Sequence, residues 1–197
     1  VLVFIMPMLL TEMALDTDLI GQILIFYYIG VLITTAVVSY FKGAGVNSEK
    51  VLFVGAIGSG VGLLVIGSQH FLLELPQLAE LSTLAKHNIQ IINVLAGVFI
   101  VGLSHGCIHA PVISHVVKSE MAQKVGQATT AAYYRFLERL GHVAGPALAA
   151  YFLLDAQGGT RVSQFLVLGG VVMVLGAVFI VLNWQNLGEN PAAGKGE

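Results

Sequence analysis

The sequence "SQFLVLGGVVMVLGAVFIVLNW", residues 163–184, carries no charged side chain and is long enough to cross a lipid bilayer. About 20 apolar residues in a helix span the hydrocarbon core. Backbone groups in hydrocarbon have to satisfy their own hydrogen bonds, which favours a helix over irregular chain. The stretch therefore predicts a transmembrane helix, with Trp184 at the interface.

The rest of the chain has the same character. Hydrophobic residues make up 56% of its 197 positions and charged residues only 10%, with a mean hydropathy of +0.86. Soluble domains average about 25% charged residues, so the composition indicates an integral membrane protein in a lipid bilayer. The formal net charge of −2 offers no basic surface, and we expect no nucleic-acid partner.

Six apolar segments follow one another along the chain. The first is short for a full span, so we expect its helix to begin upstream of Val1. We predict an all-α membrane protein in which residues 1–184 form a six-transmembrane-helix bundle and residues 185–197 a polar tail. The segments are approximately 1–15 (truncated), 20–41, 51–70, 91–115, 127–154 and 163–184.

The linkers between these segments differ in charge. One side of the membrane collects five lysines and the other only Lys86 and Arg161, and an excess of Lys and Arg marks the cytoplasmic side. The tail is therefore predicted to be cytoplasmic. The linker at 71–90 repeats Leu at every third position, which predicts either a short interfacial amphipathic helix or a loop packed on helix ends. The five lysines are Lys42, Lys50, Lys118, Lys124 and Lys195.

Polar side chains are unevenly distributed among the segments. The third and sixth segments have no polar side chains that suit a cavity. In the third segment, small residues at 55/59 and 58/62 allow close helix packing. We therefore expect these two segments at the periphery. Polar groups in a membrane normally face a bundle interior or a wet cavity. The first, second, fourth and fifth segments do carry polar side chains. In the first, second and fourth segments these are Thr11, Glu12, Gln22, Tyr27, Tyr28, Thr34, Thr35, Asn93, His105 and His109.

Several of these stretches resemble one family. Pro7, the hairpin from "YYIGVLITTAVVSYF" to "SEKVLFVG", "GLSHGCIHAPV" and "YRFLERLGHVAGPALA" are similar to the C-terminal six helices of a major facilitator superfamily transporter. The resemblance implies the second half of a twelve-helix fold whose N-terminal six-helix half is missing, in a bacterial plasma (inner) membrane. It also implies a cavity lined by the first, second, fourth and fifth segments. The stretch "SYFKGAGVNSEK" lacks the acidic-basic pair of the family's loop motif, so no substrate is carried over.

The fifth segment combines charge with apolar length. On a helix, Arg135, Glu138, Arg139 and His142 fall within about 100° of arc, opposite a lipid-like face. Three interpretations remain open for this stripe: a charge network gating the cytoplasmic mouth, an anion site for the solute, and proton coupling through Glu138 or His142. Proline lacks a backbone donor, so Gly145-Pro146 predicts a kink.

Two further groups are candidates for contact with a solute or a coupling ion. His105 and His109 are four residues apart and share one helix face, which suits a proton relay, a substrate contact or polar packing. Zinc would need more ligands, and Cys107 lies on the other face, so no metal is expected. Glu12 is placed in the outer vestibule or at the headgroups. With Tyr28 and Thr35, these residues are the predicted substrate or coupling positions.

These features predict a secondary active transporter that moves a small solute by alternating access, with proton coupling implied by the resemblance and by the intramembrane His and Glu. No Ser-His-Asp, Cys-His or paired-carboxylate arrangement is evident, so we expect neither an enzyme nor a cofactor. The alternative is a transporter-like membrane sensor or anchor domain of a signalling protein.

Overall fold

The computed structural model describes residues 2–13, 15–43, 48–79, 81–153 and 161–182. These residues are almost entirely helical and include no strand. The polar tail at 185–197 and Trp184 lie outside the described residues. The helices within the described ranges are α1 Leu2–Glu12, α2 Thr17–Gly43, α3 Ser48–Gly67, α4 Gln69–Glu74, α5 Pro76–Ala79, α6 Thr83–Lys118, α7 Glu120–Val125, α8 Gln127–Leu153 and α9 Gln164–Leu182.

Four helices in the described part of the chain are long and apolar enough to cross a membrane. They lie in α2, α3, α6 and α9. The helix α8 has 27 residues, which is sufficient length, but its polar and charged side chains keep it out of this set. The helix α1 has 11 residues, about 16 Å at 1.5 Å per residue, which is shorter than the hydrocarbon core. Over the described ranges the chain is therefore all-α, with four membrane-length apolar helices.

For the linker at 71–90 the sequence predicts either a short amphipathic helix or a loop packed on helix ends, and the structure combines short helices with non-helical residues there. The linker holds two short helices, and α6 begins at Thr83, well before the predicted start at residue 91. Leu75 is extended between α4 and α5, because Pro76 lacks an N–H and starts a new helix. The side chain of Ser82 then caps α6 by accepting a hydrogen bond from Ala85 N at 3.3 Å. The leucines that repeat at every third position therefore do not share one helix face; they are Leu75, Leu78, Leu81 and Leu84.

Glycines allow α6 to pack closely against two neighbours. A Cβ at Gly30 of α2 would lie 2.9 Å from the backbone nitrogen of Leu103. On the other side of α6, a Cβ at Gly62 of α3 would lie 2.9 Å from the carbonyl oxygen of Gly97. Such short distances leave room for hydrogen alone, so the backbones themselves are in contact. The helix α6 is thus held between α2 and α3.

The helix α3 packs extensively against both α6 and α9. A Cβ at Gly60 would lie 3.0 Å from the carbonyl oxygen of Gly169 in α9, on a different face from Gly62. Its small residues allow this close packing on two faces, and its place at the periphery of a cavity stays a prediction. We call α3, α6 and α9 the scaffold.

The buried core lies towards one end of the bundle. It is built from the end of α1, the start of α2, the end of α3, the first half of α6, the last residue of α8 and the start of α9. By contrast, α8 makes few contacts with its neighbours, and many of its side chains are exposed. The helices therefore join firmly at one end, which we call the closed end. Core residues include Met6, Leu9, Leu10, Ile23, Ile66, Val94, Val98, Leu153 and Phe165.

Candidate functional site

Tyr27 of α2 and His105 of α6 form a hydrogen bond across the helix pair. The tyrosine hydroxyl lies 2.5 Å from His105 Nδ1, and Tyr27 is only 7% exposed. The contact is possible because Gly102, one turn before His105, brings α6 directly against the backbone of Tyr27. A buried hydroxyl is costly without a partner, so this bond fixes the register of α2 on α6.

The second histidine of α6 continues from the first. The rings of His105 and His109 are stacked, with centroids 4.4 Å apart and planes 12° from parallel. His105 is half-buried and His109 is exposed, so the pair runs from the helix interface outwards. Cys107 faces α3, where a Cβ at Gly55 would lie 3.0 Å from its Cβ. No group of three or more potential His, Cys, Asp or Glu metal ligands comes together among the described residues.

The charges of α8 pair along the helix. Arg135 Nη1 donates to Glu138 Oε2 at 2.7 Å. His142 Nδ1 lies 2.8 Å from the Glu138 carbonyl oxygen. A carbonyl oxygen can only accept a hydrogen bond, so Nδ1 of His142 carries the proton that it donates. The other ring nitrogen, Nε2, takes no part in this bond. In the described part of the chain Arg139 has no ion pair, although it lies one turn after Arg135.

The polar groups of α6 and α8 lie within electrostatic range of each other. Glu138 lies within electrostatic range of His109 and His142, and His105 lies within range of His142. Tyr27, His105, His109, Glu138 and His142 therefore form one connected set, which we call the polar cluster. Hydroxyl, imidazole and carboxylate groups can all exchange protons and can hydrogen-bond a polar solute. The polar cluster thus offers hydrogen-bond donors and acceptors among helices that include membrane-length ones.

Three other predicted positions lie around or away from this cluster. Tyr28 is half-exposed and packs edge-on against Tyr27, with ring centroids 5.1 Å apart. Thr35 is half-buried, and its backbone lies beside Gly106, the residue after His105. Glu12 is an exposed residue at the end of α1, next to the core of the closed end. The structure therefore brings Tyr28 and Thr35 to the cluster but not Glu12.

Tyr27 is a polar residue of the second apolar segment, but it is not among the substrate or coupling positions predicted from the sequence. The sequence feature that could have indicated its role is its spacing to Gly30, because residues three apart share a helix face. Gly30 touches the backbone of α6, and so Tyr27 faces α6 as well, while Tyr28 points about 100° away.

Prolines lie in both helices of the site. The helix α8 continues through Gly145 and Pro146 to Leu153, and the kink there stays a prediction. Pro111 of α6 is fully buried two residues after His109. Because proline has no N–H, the carbonyl of Cys107 loses its usual helical donor. Pro111 therefore weakens the α6 backbone next to the histidine pair.

The scaffold is tied together again at the end opposite the core. His115 Nδ1 of α6 lies 3.5 Å from Glu49 Oε1 of α3, and the His115 ring packs edge-on against Phe179 of α9. Sequence spacing does not predict this contact, because the partners of His115 lie on helices that are distant in sequence. This contact fastens the scaffold independently of α8.

Comparison of the chain with known protein families, with curated proteins and with solved structures finds no match. The geometry of the polar cluster and the packing around it are therefore the features from which a function can be inferred.

Proposed function

We propose that this protein is a secondary transporter that moves a small solute across a membrane by alternating access. The observation that carries the proposal is the polar cluster itself. Polar and titratable groups are costly in hydrocarbon and are normally placed where they serve a solute or ion pathway. Here they come from α2, α6 and α8, and they run from a buried tyrosine to the exposed side chains of α8.

The distribution of packing supports the same proposal. Alternating access requires one group of helices that stays together and another that changes its contacts. The scaffold is held by backbone contacts at glycines, whereas α8 is sparsely packed and exposes the side chains of Arg135, Arg139 and His142. We propose that α8 forms the moving surface. In this account a second six-helix half, of the major facilitator type, faces it.

Within this proposal the residues have distinct roles. His105 and His109 are the solute or coupling-ion contacts, and Tyr27 holds His105 in place. Arg135, Glu138, Arg139 and His142 form the charge network of the inner gate, on the lysine-rich side that we assign to the cytoplasm. A proton gradient is the proposed energy source, because His109 and His142 both lie within electrostatic range of His105 and of Glu138.

The proposal is tested by solute accumulation in proteoliposomes. The full product of the reading frame is reconstituted, a pH gradient is imposed, and a panel of labelled sugars, amino acids, carboxylates and organic cations is supplied. We expect at least one solute to accumulate above the level of protein-free liposomes, and a protonophore to abolish that accumulation. Correctly folded protein that accumulates no solute in either gradient direction would contradict transport.

A further inference from the structure

An apolar groove lies between α8 and α9 on the outside of the bundle. Its volume is about 410 Å³, which is within the range of roughly 300–1,000 Å³ for small-molecule sites. Gly145 leaves space on one wall because it has no side chain. The lining residues are Gly145, Leu148, Phe152 and Leu153 from α8, and Gln164, Val167, Leu168 and Val171 from α9.

Side chains on both walls of the groove remain exposed. Leu148 and Phe152 of α8 and Val167 of α9 are between 57% and 60% exposed, although they line it. On α9 the neighbouring Phe165 points the other way, into the core, and is 1% exposed. The groove therefore opens towards the surroundings of the helices, which for a membrane-length helix such as α9 is lipid.

Polar groups stand at one end of the groove only. Gln164 is the first residue of α9 and the sole polar side chain among the described lining residues. Arg161 is exposed three positions earlier, and its backbone nitrogen donates to the Leu153 carbonyl at 2.6 Å. That bond brings Arg161 to the last turn of α8, beside a residue that lines the groove. A cation thus stands where the apolar span of α9 begins.

We infer that the groove binds one acyl chain of a bilayer phospholipid with an anionic headgroup, with the headgroup at Arg161 and Gln164. The apolar walls match a hydrocarbon chain and exclude a polar solute, because a buried polar group without a partner is costly. A guanidinium can hold a phosphate through two parallel hydrogen bonds, and a side-chain amide adds a further donor. Lipid binding at this groove requires that the helices lie in a membrane, and it does not depend on transport.

The test is lipid retention measured by native mass spectrometry. The delipidated full-length protein is titrated with phosphatidylglycerol or with phosphatidylcholine of the same acyl chains. We expect one tightly retained phosphatidylglycerol in the wild type, preferred over phosphatidylcholine by roughly fivefold, the factor typical of one cation near an anionic lipid surface. Arg161→Gln should remove this preference, while Lys124→Gln, which removes an exposed cation of α7, should keep it.

Groove-filling variants test the acyl-chain site itself. Val167→Trp should lower the retained lipid several-fold, and Leu148→Trp should do the same from the opposite wall. Val181→Trp is the matched control, because Val181 is an exposed residue of α9 outside the groove. Equal retention by Val167→Trp and Val181→Trp, or no headgroup preference in the wild type, would overturn the inference. Loss of a dimer in both groove variants would also overturn it, in favour of a second copy as the occupant.

Discussion

The scaffold and α8 both contain long helices, but they differ in the residues that determine their contacts. In α3 the residues that matter are glycines at positions 55, 58, 60, 62 and 67, each in contact with a neighbouring helix. In α8 they are Arg135, Glu138 and His142, whose partners lie mainly on α8 itself. Glycines stabilise by letting backbones meet, so they specify a fixed structure. Charges that make so few tertiary contacts are costly in lipid, which indicates that they serve a function.

The largest expected effect breaks the scaffold. Gly62→Leu places a side chain where a Cβ would already lie 2.9 Å from the Gly97 carbonyl oxygen, so α3 and α6 have to separate. Overpacking of this kind costs about 1–3 kcal/mol. The matched control is Gly141→Leu in α8, where a Cβ would meet nothing within 4 Å. Thermal unfolding in detergent should show a clearly lower melting temperature for Gly62→Leu and little change in melting temperature for Gly141→Leu. Equal loss in both variants would refute the distinction between the scaffold and α8.

The second prediction separates the two arginines of α8. Arg135→Ala removes the partner of Glu138 and should lower solute uptake at least about fivefold, a typical coupling effect between sites. Arg139→Ala removes the same type of charge one turn away, without breaking an ion pair within the described ranges, and should have the smaller effect on uptake. Both variants should insert and unfold like the wild type. Wild-type uptake by Arg135→Ala would remove the proposed gate.

The third prediction concerns the link between α2 and the histidine pair. Tyr27→Phe removes the hydroxyl bonded to His105 Nδ1 and should lower stability by about 0.6–1 kcal/mol, the usual range for a buried side-chain hydrogen bond. Tyr28→Phe is the control, because Tyr28 is adjacent, half-exposed and makes a ring contact only. Denaturation of the two variants under identical conditions measures the difference. A larger loss for Tyr28→Phe would mean that Tyr27 does not hold His105.

Local patterns in the sequence were sufficient for much of this comparison. Runs of apolar residues predicted the helices, and the spacing of Gly55, Gly58 and Gly62 predicted close contact on α3, which the structure shows against α6. The early start of α6 was missed because the polar stretch 86–90 looked like a linker, although a Ser82 cap is enough to begin a helix there.

The candidate site was less predictable, because it depends on register between helices. The i, i+4 spacing of His105 and His109 places them on one face from sequence alone. By contrast, periodicity within α2 cannot say which of two adjacent tyrosines meets α6. It also cannot say that Glu138 of α8 lies within electrostatic range of His109. Those pairings are set by tertiary packing, and hence by glycines on the partner helix.

The most direct test of the central claim measures water access to the two faces of α8. Cys107, the single cysteine of the chain, is first replaced by Ser. A cysteine is then introduced at His142 on the polar face or at Leu140 on the opposite face. Both variants are exposed in membrane vesicles to a membrane-impermeant maleimide. If α8 lines a solute pathway, the cysteine at position 142 reacts from one side of the membrane and the cysteine at 140 stays unlabelled in lipid. Equal labelling of both positions, or labelling of 140 alone, would contradict the account.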